Sequence, residues 1–296
     1  MLLGLAKQFS FGNIILRGAR TQATIATSGP AVTATNRAQA TLKRFWKDVG
    51  IEVQPGLSAA STSTTPASDA SKNHLTVTLD KRPLKTPSGD QLLLPKHKAL
   101  AVTLIAAEWD NQETLLKQHS LPMTSLASRA IDAFRNSKAD TRVQVYDQLL
   151  KYFETDAICF HASEPASLVS LQKRHWEPLL TWARESFTVE VNVTTGFSVP
   201  RQPAETLAAF RKVLEQMDEW EMAAMERATY TTKSFLIALA LVKRRVTAEQ
   251  AAQASHVEVN SQIEKWGEVE DSHDVDYHDV RRQLGSASCL LANHQL

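Results

Sequence analysis

Between His273 and Asp279 the chain reads His-Asp-Val-Asp-Tyr-His-Asp, its densest run of metal-ligating side chains. On a helix, Asp274 and His278 share a face at i, i+4, and His273 pairs with Asp276 at i, i+3. A two-ligand site, and with it a metal-dependent hydrolase, is geometrically possible. Helix capping explains the same residues more simply. Ser272 is a good N-cap, and Asp274 and Asp276 would lie in the first turn, where the helix dipole favours carboxylates. Cys159 and Cys289 lie 130 positions apart with no C-x-x-C, which supports neither a disulfide framework nor a zinc ribbon. His161, Ser163 and His175 have no triad companions at interpretable spacing. No G-x-G-x-x-G or G-x-x-x-x-G-K-[ST] occurs, so no phosphate cradle is signalled. The expectation is a protein without catalytic residues, metal or cofactor.

The wider region says more. From Glu258 to Asp279 there are eight acids (Glu258, Glu264, Glu268, Glu270, Asp271, Asp274, Asp276, Asp279) against one lysine, Lys265. Such a run either faces water or complements a basic partner, where it speeds encounter and rejects wrong partners. Trp266 within it favours an interaction site, because tryptophan is enriched among interface anchors. The candidate partner-binding residues are therefore Glu258, Gln262, Trp266, Glu268 and Glu270. A helix over 247–266 would bury a stripe of Ala252, Val259, Ile263 and Trp266 and turn Glu258, Gln262 and Lys265 to another face. Met217, Trp220, Met222 and Met225 cluster at a helix start. Thioethers beside an aromatic could adapt to a partner, but core packing is the simpler reading.

Elements must position these residues. Residues 44–53 alternate polar and apolar, Leu75 to Leu79 is β-branched at period two, and turn chemistry at Asp80 to Pro83 and Ser88 to Asp90 leads into Gln91 to Pro95. These form a small antiparallel β unit. From Lys96 the period becomes helical, with Leu100, Leu104 and Ala107 on one face up to Asp110. Further helices are expected over 124–134, from an Asp140 cap through Phe153, over 165–187, 203–217, 218–245 and 247–266, and from Ser272 to about Leu291. Thr188 to Val193 reads as an isolated strand. The fold class is α+β: a small antiparallel β-rich N-terminal domain (44–136) followed by a mainly α-helical C-terminal domain (138–296).

At 296 residues the chain is long enough for two units of roughly 150. Its longest clean apolar run, Phe235 to Val242, is far shorter than the roughly 20 residues that span a bilayer, so no membrane span is expected. The net charge of +1 hides a gradient, because residues 1–47 carry seven basic groups and no acid. Such an arginine-bearing, Ser/Thr/Ala-rich start reads as a mitochondrial presequence over 1–37, cleaved between about Arg20 and Gln39. Its removal takes four basic groups and turns +1 into −3, which leaves no electrostatic footprint for nucleic acid. Residues 55–72, nearly all small or polar, read as a disordered loop.

Several blocks carry a resemblance. Phe45-Trp46-Lys47, Leu79-Asp80-Lys81-Arg82-Pro83-Leu84-Lys85-Thr86-Pro87 and Glu108-Trp109-Asp110-Asn111-Gln112 open it. Met123 to Ala127, Glu154 to Cys159, Trp176-Glu177-Pro178-Leu179 and Gln262-Ile263-Glu264-Lys265-Trp266-Gly267 continue it. Together they resemble the mitochondrial ATP synthase assembly factor 2 family over residues 44–284. The stretch 55–72 looks like an insertion, and Glu268 to Asp271 departs from the family pattern. The resemblance implies a non-enzymatic chaperone of the mitochondrial matrix, and a monomer is expected. Its partner would be the α subunit of the F(1)-ATPase, kept from aggregating until the β subunit joins. A structural scaffold of a respiratory complex and the metal-dependent hydrolase are the alternatives.

Overall fold

The structure, a computed structural model, describes residues 43–54, 74–136, 139–196 and 198–293. The expected presequence and the expected loop at 55–72 lie outside them. Strand β1 (Val49–Gln54) pairs antiparallel with β2 (His74–Leu79), Ile51 opposite Val77. Both β3 (Arg82–Pro83) and β4 (Leu94–Pro95) add to β2, again antiparallel. Helices follow: α1 (Ala99–Asp110), α2 (Pro122–Arg129) with a π-helical continuation Ala130–Arg135, and α3 (Ala139–Glu154). A short parallel pair, β5 (Phe160–His161) and β6 (Thr194–Thr195), brackets α4 (Ala166–His175) and α5 (Glu177–Phe187). Then come α6 (Ala204–Glu215), α7 (Glu219–Thr232), α8 (Phe235–Val242), α9 (Ala248–Ser255), α10 (Val257–Trp266) and α11 (Glu270–Leu291). This is the expected α+β order.

Local chemistry sets the boundaries. Asp80 and Lys81 sit at φ 47° and 66°, so β2 and β3 are joined by a two-residue turn of the kind that matches strand twist. The Asp80 carboxylate accepts N–H bonds from Lys47 (2.9 Å) and Asp48 (3.0 Å), which hold it below its ordinary pKa and tie the turn to the start of β1. Capping boxes start α7 (Asp218 with Glu221) and α9 (Thr247 with Gln250), and Ser234 caps α8. Helix α8, Phe-Leu-Ile-Ala-Leu-Ala-Leu-Val, is buried on every side, with α3, α5, α7, α9 and α11 around it. An inner stripe of α11, Val280, Leu284, Ala287 and Leu291, packs against that core. Lys98 and Arg244 both donate to the Leu291 carbonyl (3.2 and 2.7 Å), placing two cations at the negative end of α11.

Two ion pairs join α2 and its π-helical extension to α7 in antiparallel sense. Arg129 forks onto Glu226 (2.8 and 2.7 Å), and Arg135 reaches Glu219 (2.8 Å). Glu226 is nearly buried while Arg129 is partly exposed, so the pair is neither a solvated rim contact nor a sealed one. Glu226→Ala should cost about 1–3 kcal/mol, between the values for exposed and buried pairs. A thermal melt checks this: the midpoint should fall by about 2–4 °C per kcal/mol.

Several expectations need correction. The helices expected at 165–187 and 247–266 are each two, broken at Trp176 and His256, and 218–245 breaks at Lys233, which adopts φ 55° before the Ser234 cap. The strand expected at 188–193 does not form. Thr188 ends α5 in the left-handed region, and the following carbonyls are taken by side chains instead of a ladder: Thr206 Oγ1 to Glu190, Arg184 to Val191 and Gln202 to Asn192. Asp140 lies inside the first turn of α3 and does not cap it. In α1 the buried face is Ala101, Val102 and Ile105; Leu100 and Leu104 are half-buried and Ala107 is exposed. Ser272 is likewise inside α11, whose N-cap position is Val269.

Candidate functional site

The acidic region folds into a helical corner, α10 running out and α11 running back. His256 makes the corner's inner hinge. Its N–H closes α9 on Ala252 (3.1 Å), its carbonyl accepts from Asn260 (2.8 Å) to open α10, and its Nε2 meets Asp276 Oδ2 at 3.0 Å. Helix α10 is held by one narrow face. Val257 and Ser261 are its buried residues, and Ser261 Oγ lies 3.2 Å from Ser167 Oγ on α4. Everything else on α10 is half-buried or exposed.

This overturns the expected buried stripe. Of Ala252, Val259, Ile263 and Trp266, only Ala252 is buried; Val259 and Ile263 are half-buried, and Trp266 is 71% exposed. The bend at His256 shifts the helical phase, so a stripe counted through it does not stay on one side. Glu258, Gln262 and Trp266, spaced at i, i+4 and i+8, are all exposed, as are Glu268 and Glu270. Gly267, at φ 86°, ends α10 with its N–H on Ile263 (2.8 Å) in a backbone shape that L side chains rarely adopt.

The start of α11 and the residue before it expose further apolar side chains that the sequence reading missed: Val269, Val275 and Tyr277. The signal was the inner stripe of α11, which, once phased on Val280 and Leu284, turns Val275 outward. Lys265 Nζ lies 4.9 Å from the Trp266 ring centroid, and Arg281 stacks on Tyr277 at 3.4 Å while forking onto Glu249 (2.8 and 2.9 Å). That fork holds Glu249 below its ordinary pKa. Asp279 is paired with Arg282. Among the described residues, Glu258, Glu264, Glu268, Glu270, Asp271 and Asp274 have no ion-pair partner, so α10, the turn after it and the start of α11 carry six free carboxylates.

The His273 to Asp279 run does not converge. His273 Nδ1 accepts the Val269 N–H (2.9 Å), Asp276 faces His256, and His278 packs edge-on against Tyr277. No three His, Cys, Asp or Glu side chains among the described residues are grouped to hold a metal ion. Met217, Trp220, Met222 and Met225 are all buried in the core. The blocks that carry the resemblance mostly build the frame elsewhere. Glu108 on α1 accepts the N–H groups of Met123 (2.6 Å) and Thr124 (2.9 Å) and the Thr124 hydroxyl (2.7 Å), capping α2 from a neighbouring helix. Burial raises its pKa against those bonds. Trp109 donates to Thr124 Oγ1 (3.0 Å), and Arg44 donates to the carbonyls of Asp110 and Gln112.

Residues 43–184 match the family described as ATP12 chaperone protein. The chain is 31% identical over 259 residues to the mitochondrial protein atp12 of Schizosaccharomyces pombe, covering 85% of this chain and 83% of that one. The chain belongs to the ATP12 chaperone family. It is also 28% identical over 293 residues to the mitochondrial protein ATP12 of Saccharomyces cerevisiae, covering 86% of each. The fold of Atp12 from Paracoccus denitrificans superposes with a TM-score of 0.69 at 24% identity, over 85% of this chain and 98% of that one. The Atu1473 protein of Agrobacterium tumefaciens gives 0.69 at 28%, over 89% and 91%.

Proposed function

We propose that this chain is a non-enzymatic assembly chaperone of the mitochondrial matrix. It binds the unassembled α subunit of the F(1)-ATPase and keeps it from aggregating until the β subunit takes its place. Subunits destined for obligate interfaces carry large apolar surfaces that aggregate when unpaired. The observation that carries the reading is Trp266, exposed at the end of an α10 that bears unpaired acids, with Val269, Val275 and Tyr277 also exposed just beyond it in the chain, on a chain of a chaperone family. Glu258, Gln262, Trp266, Glu268 and Glu270 form the contact: apolar groups cover the client's apolar surface, and the acids meet its basic rim. Among the described residues no helix is long and apolar enough to cross a membrane, which suits a factor that meets its client away from the bilayer.

Co-expression with the α subunit, followed by pelleting of insoluble client, tests this. Glu258→Lys should leave the melting temperature unchanged yet lose most of the protection, because a like charge at a desolvated contact costs several kcal/mol. Glu258→Ala should lose less. Trp266→Ala should weaken binding by about 2 kcal/mol or more, roughly 30-fold, as truncation of an interface anchor does. If all three protect the client as well as the parent chain, this corner is solvated surface and the contact lies elsewhere.

A further inference from the structure

Helix α4 ends in Lys173, Arg174 and His175, cations that a helix C-terminus attracts on electrostatic grounds alone. That account leaves out Arg245, which arrives from the turn between α8 and α9 and meets them. Arg174, His175, Arg245 and Val246 line a recess of about 180 Å³ floored by Pro178 and Leu179. A second recess of about 420 Å³ shares Pro178 and Arg245 with it and adds Lys173 and the half-buried Trp182. Lys173, Arg174 and Arg245 are exposed, and none of their side chains has a hydrogen-bond or ion-pair partner among the described residues. The neighbours of Arg245 are already engaged: Lys243 with Glu221 (3.8 Å) and Arg244 with the Leu291 carbonyl. Its own backbone is fixed, its N–H on the Ala240 carbonyl at 2.8 Å. Two free guanidiniums from separate elements thus share one small recess.

The surroundings say what they fit. At the N-terminus of α9 beside them, the Thr247 and Gln250 box already takes the N–H groups of Thr247 and Gln250. The guanidiniums are the charged donors, and their planar forks match carboxylate and phosphate oxygens alike, so the selection of a peptide rests on the apolar surface beside them. The floor is apolar. Glu177 and Glu185 border the wider recess and would repel acid there, so negative charge is admitted at the narrow end and apolar surface at the wide one. Burial and the adjacent Arg174 hold His175 below its ordinary pKa, which keeps it a neutral neighbour.

We propose that this double cleft docks an extended acidic segment of a partner polypeptide, its carboxylates on Arg174 and Arg245 and a neighbouring apolar side chain on Pro178 and Trp182. The site is built from α4, α5 and the α8–α9 turn, separate from the Glu258 surface, and stands whether or not that surface binds the α subunit.

The probe is a fluorescein-labelled decapeptide of paired glutamates followed by leucines and alanines, measured by anisotropy with the full chain. Its counterpart carries lysines in place of the glutamates. The glutamate peptide should bind, at least fivefold more weakly at about 300 mM salt than at about 50 mM. The double variant Arg174→Glu with Arg245→Glu should bind it at least tenfold more weakly, gain affinity for the lysine peptide and stay folded, melting within about 5 °C of the parent, since Arg174 gives up only its interaction with the α4 dipole. Equal binding of the two peptides by the parent chain, or undiminished binding by the double variant, overturns the proposal. So does displacement of the peptide by micromolar inorganic phosphate, which would make the cleft a small-oxyanion site.

Discussion

Asp156→Ala is expected to melt about 5–15 °C below the parent chain, the equivalent of about 2–5 kcal/mol. Asp156 is wholly buried, and its carboxylate accepts N–H bonds from Ile158 (3.2 Å) and from Leu236 (2.9 Å), eighty positions away. The second bond caps α8, the helix around which the core is assembled. Alanine leaves both N–H groups buried without their carboxylate acceptor, and each such loss costs about 1–3 kcal/mol. The neighbouring Ser234 cannot replace it, because its Oγ already takes the Ile237 N–H at 3.1 Å.

The same residue gives a pH signature. Burial raises the Asp156 carboxyl from 3.8 to about 6, against hydrogen bonds from Ser234, Leu236 and Ile158 that favour the charge. A carboxyl raised by folding is held more tightly in its protonated form by the native state. Its stabilising contribution is full below the unfolded value of 3.8 and lost as pH rises through about 6. Asp156→Asn removes that dependence while keeping one acceptor oxygen. Its penalty relative to the parent should therefore be larger at pH 4 than at pH 7, by about 2 kcal/mol, in paired urea unfolding curves. A difference that does not change between the two would mean that Asp156 stays charged in the fold.

Neither role can be read along the chain. Asp156 and Glu108 stand in blocks that mark the family, but what they cap is set by where α8 and α2 come to lie. Period-two alternation was enough to find β1 and β2 but not their faces, since β2 is buried on both sides from Leu75 to Leu79 while Ile51 and Val53 of β1 are exposed. It was not enough for α1. From Ala99 to Ala107 every residue but Thr103 is apolar, so several phases of a 3.6 period fit equally and only packing selects Val102 and Ile105. At the candidate site the outward direction of Glu258 was legible from charge, whereas the exposure of Trp266 was not. A tryptophan beside isoleucine reads as core until the bend at His256 is known, and nothing in the residues around His256 breaks a helix by propensity.

That bend depends on Trp176, and Trp176→Ala should cost about 3–5 kcal/mol, a fall of about 6–20 °C in the melting midpoint. The indole is almost wholly buried at the joint between α4 and α5, and its Nε1 donates to the Ala254 carbonyl at 2.8 Å. Ala254 lies in the last turn of α9, where carbonyls lack helical partners, so the indole satisfies a group that the backbone cannot. Alanine opens a cavity and orphans that carbonyl together; Trp176→Phe does mainly the second and should cost about 1–3 kcal/mol. The damage should be local before it is global. Two residues beyond Ala254 the chain turns at His256 into α10, which has only Val257 and Ser261 to hold it against the rest of the protein. In Trp176→Ala, amide exchange should therefore accelerate more over 248–266 than in β1 and β2. Protection of the α subunit should fall at temperatures where the variant is still folded, because the Glu258, Gln262 and Trp266 face is no longer held in place. Uniform acceleration across the chain would instead show that Trp176 serves the whole core and does not specifically position α10.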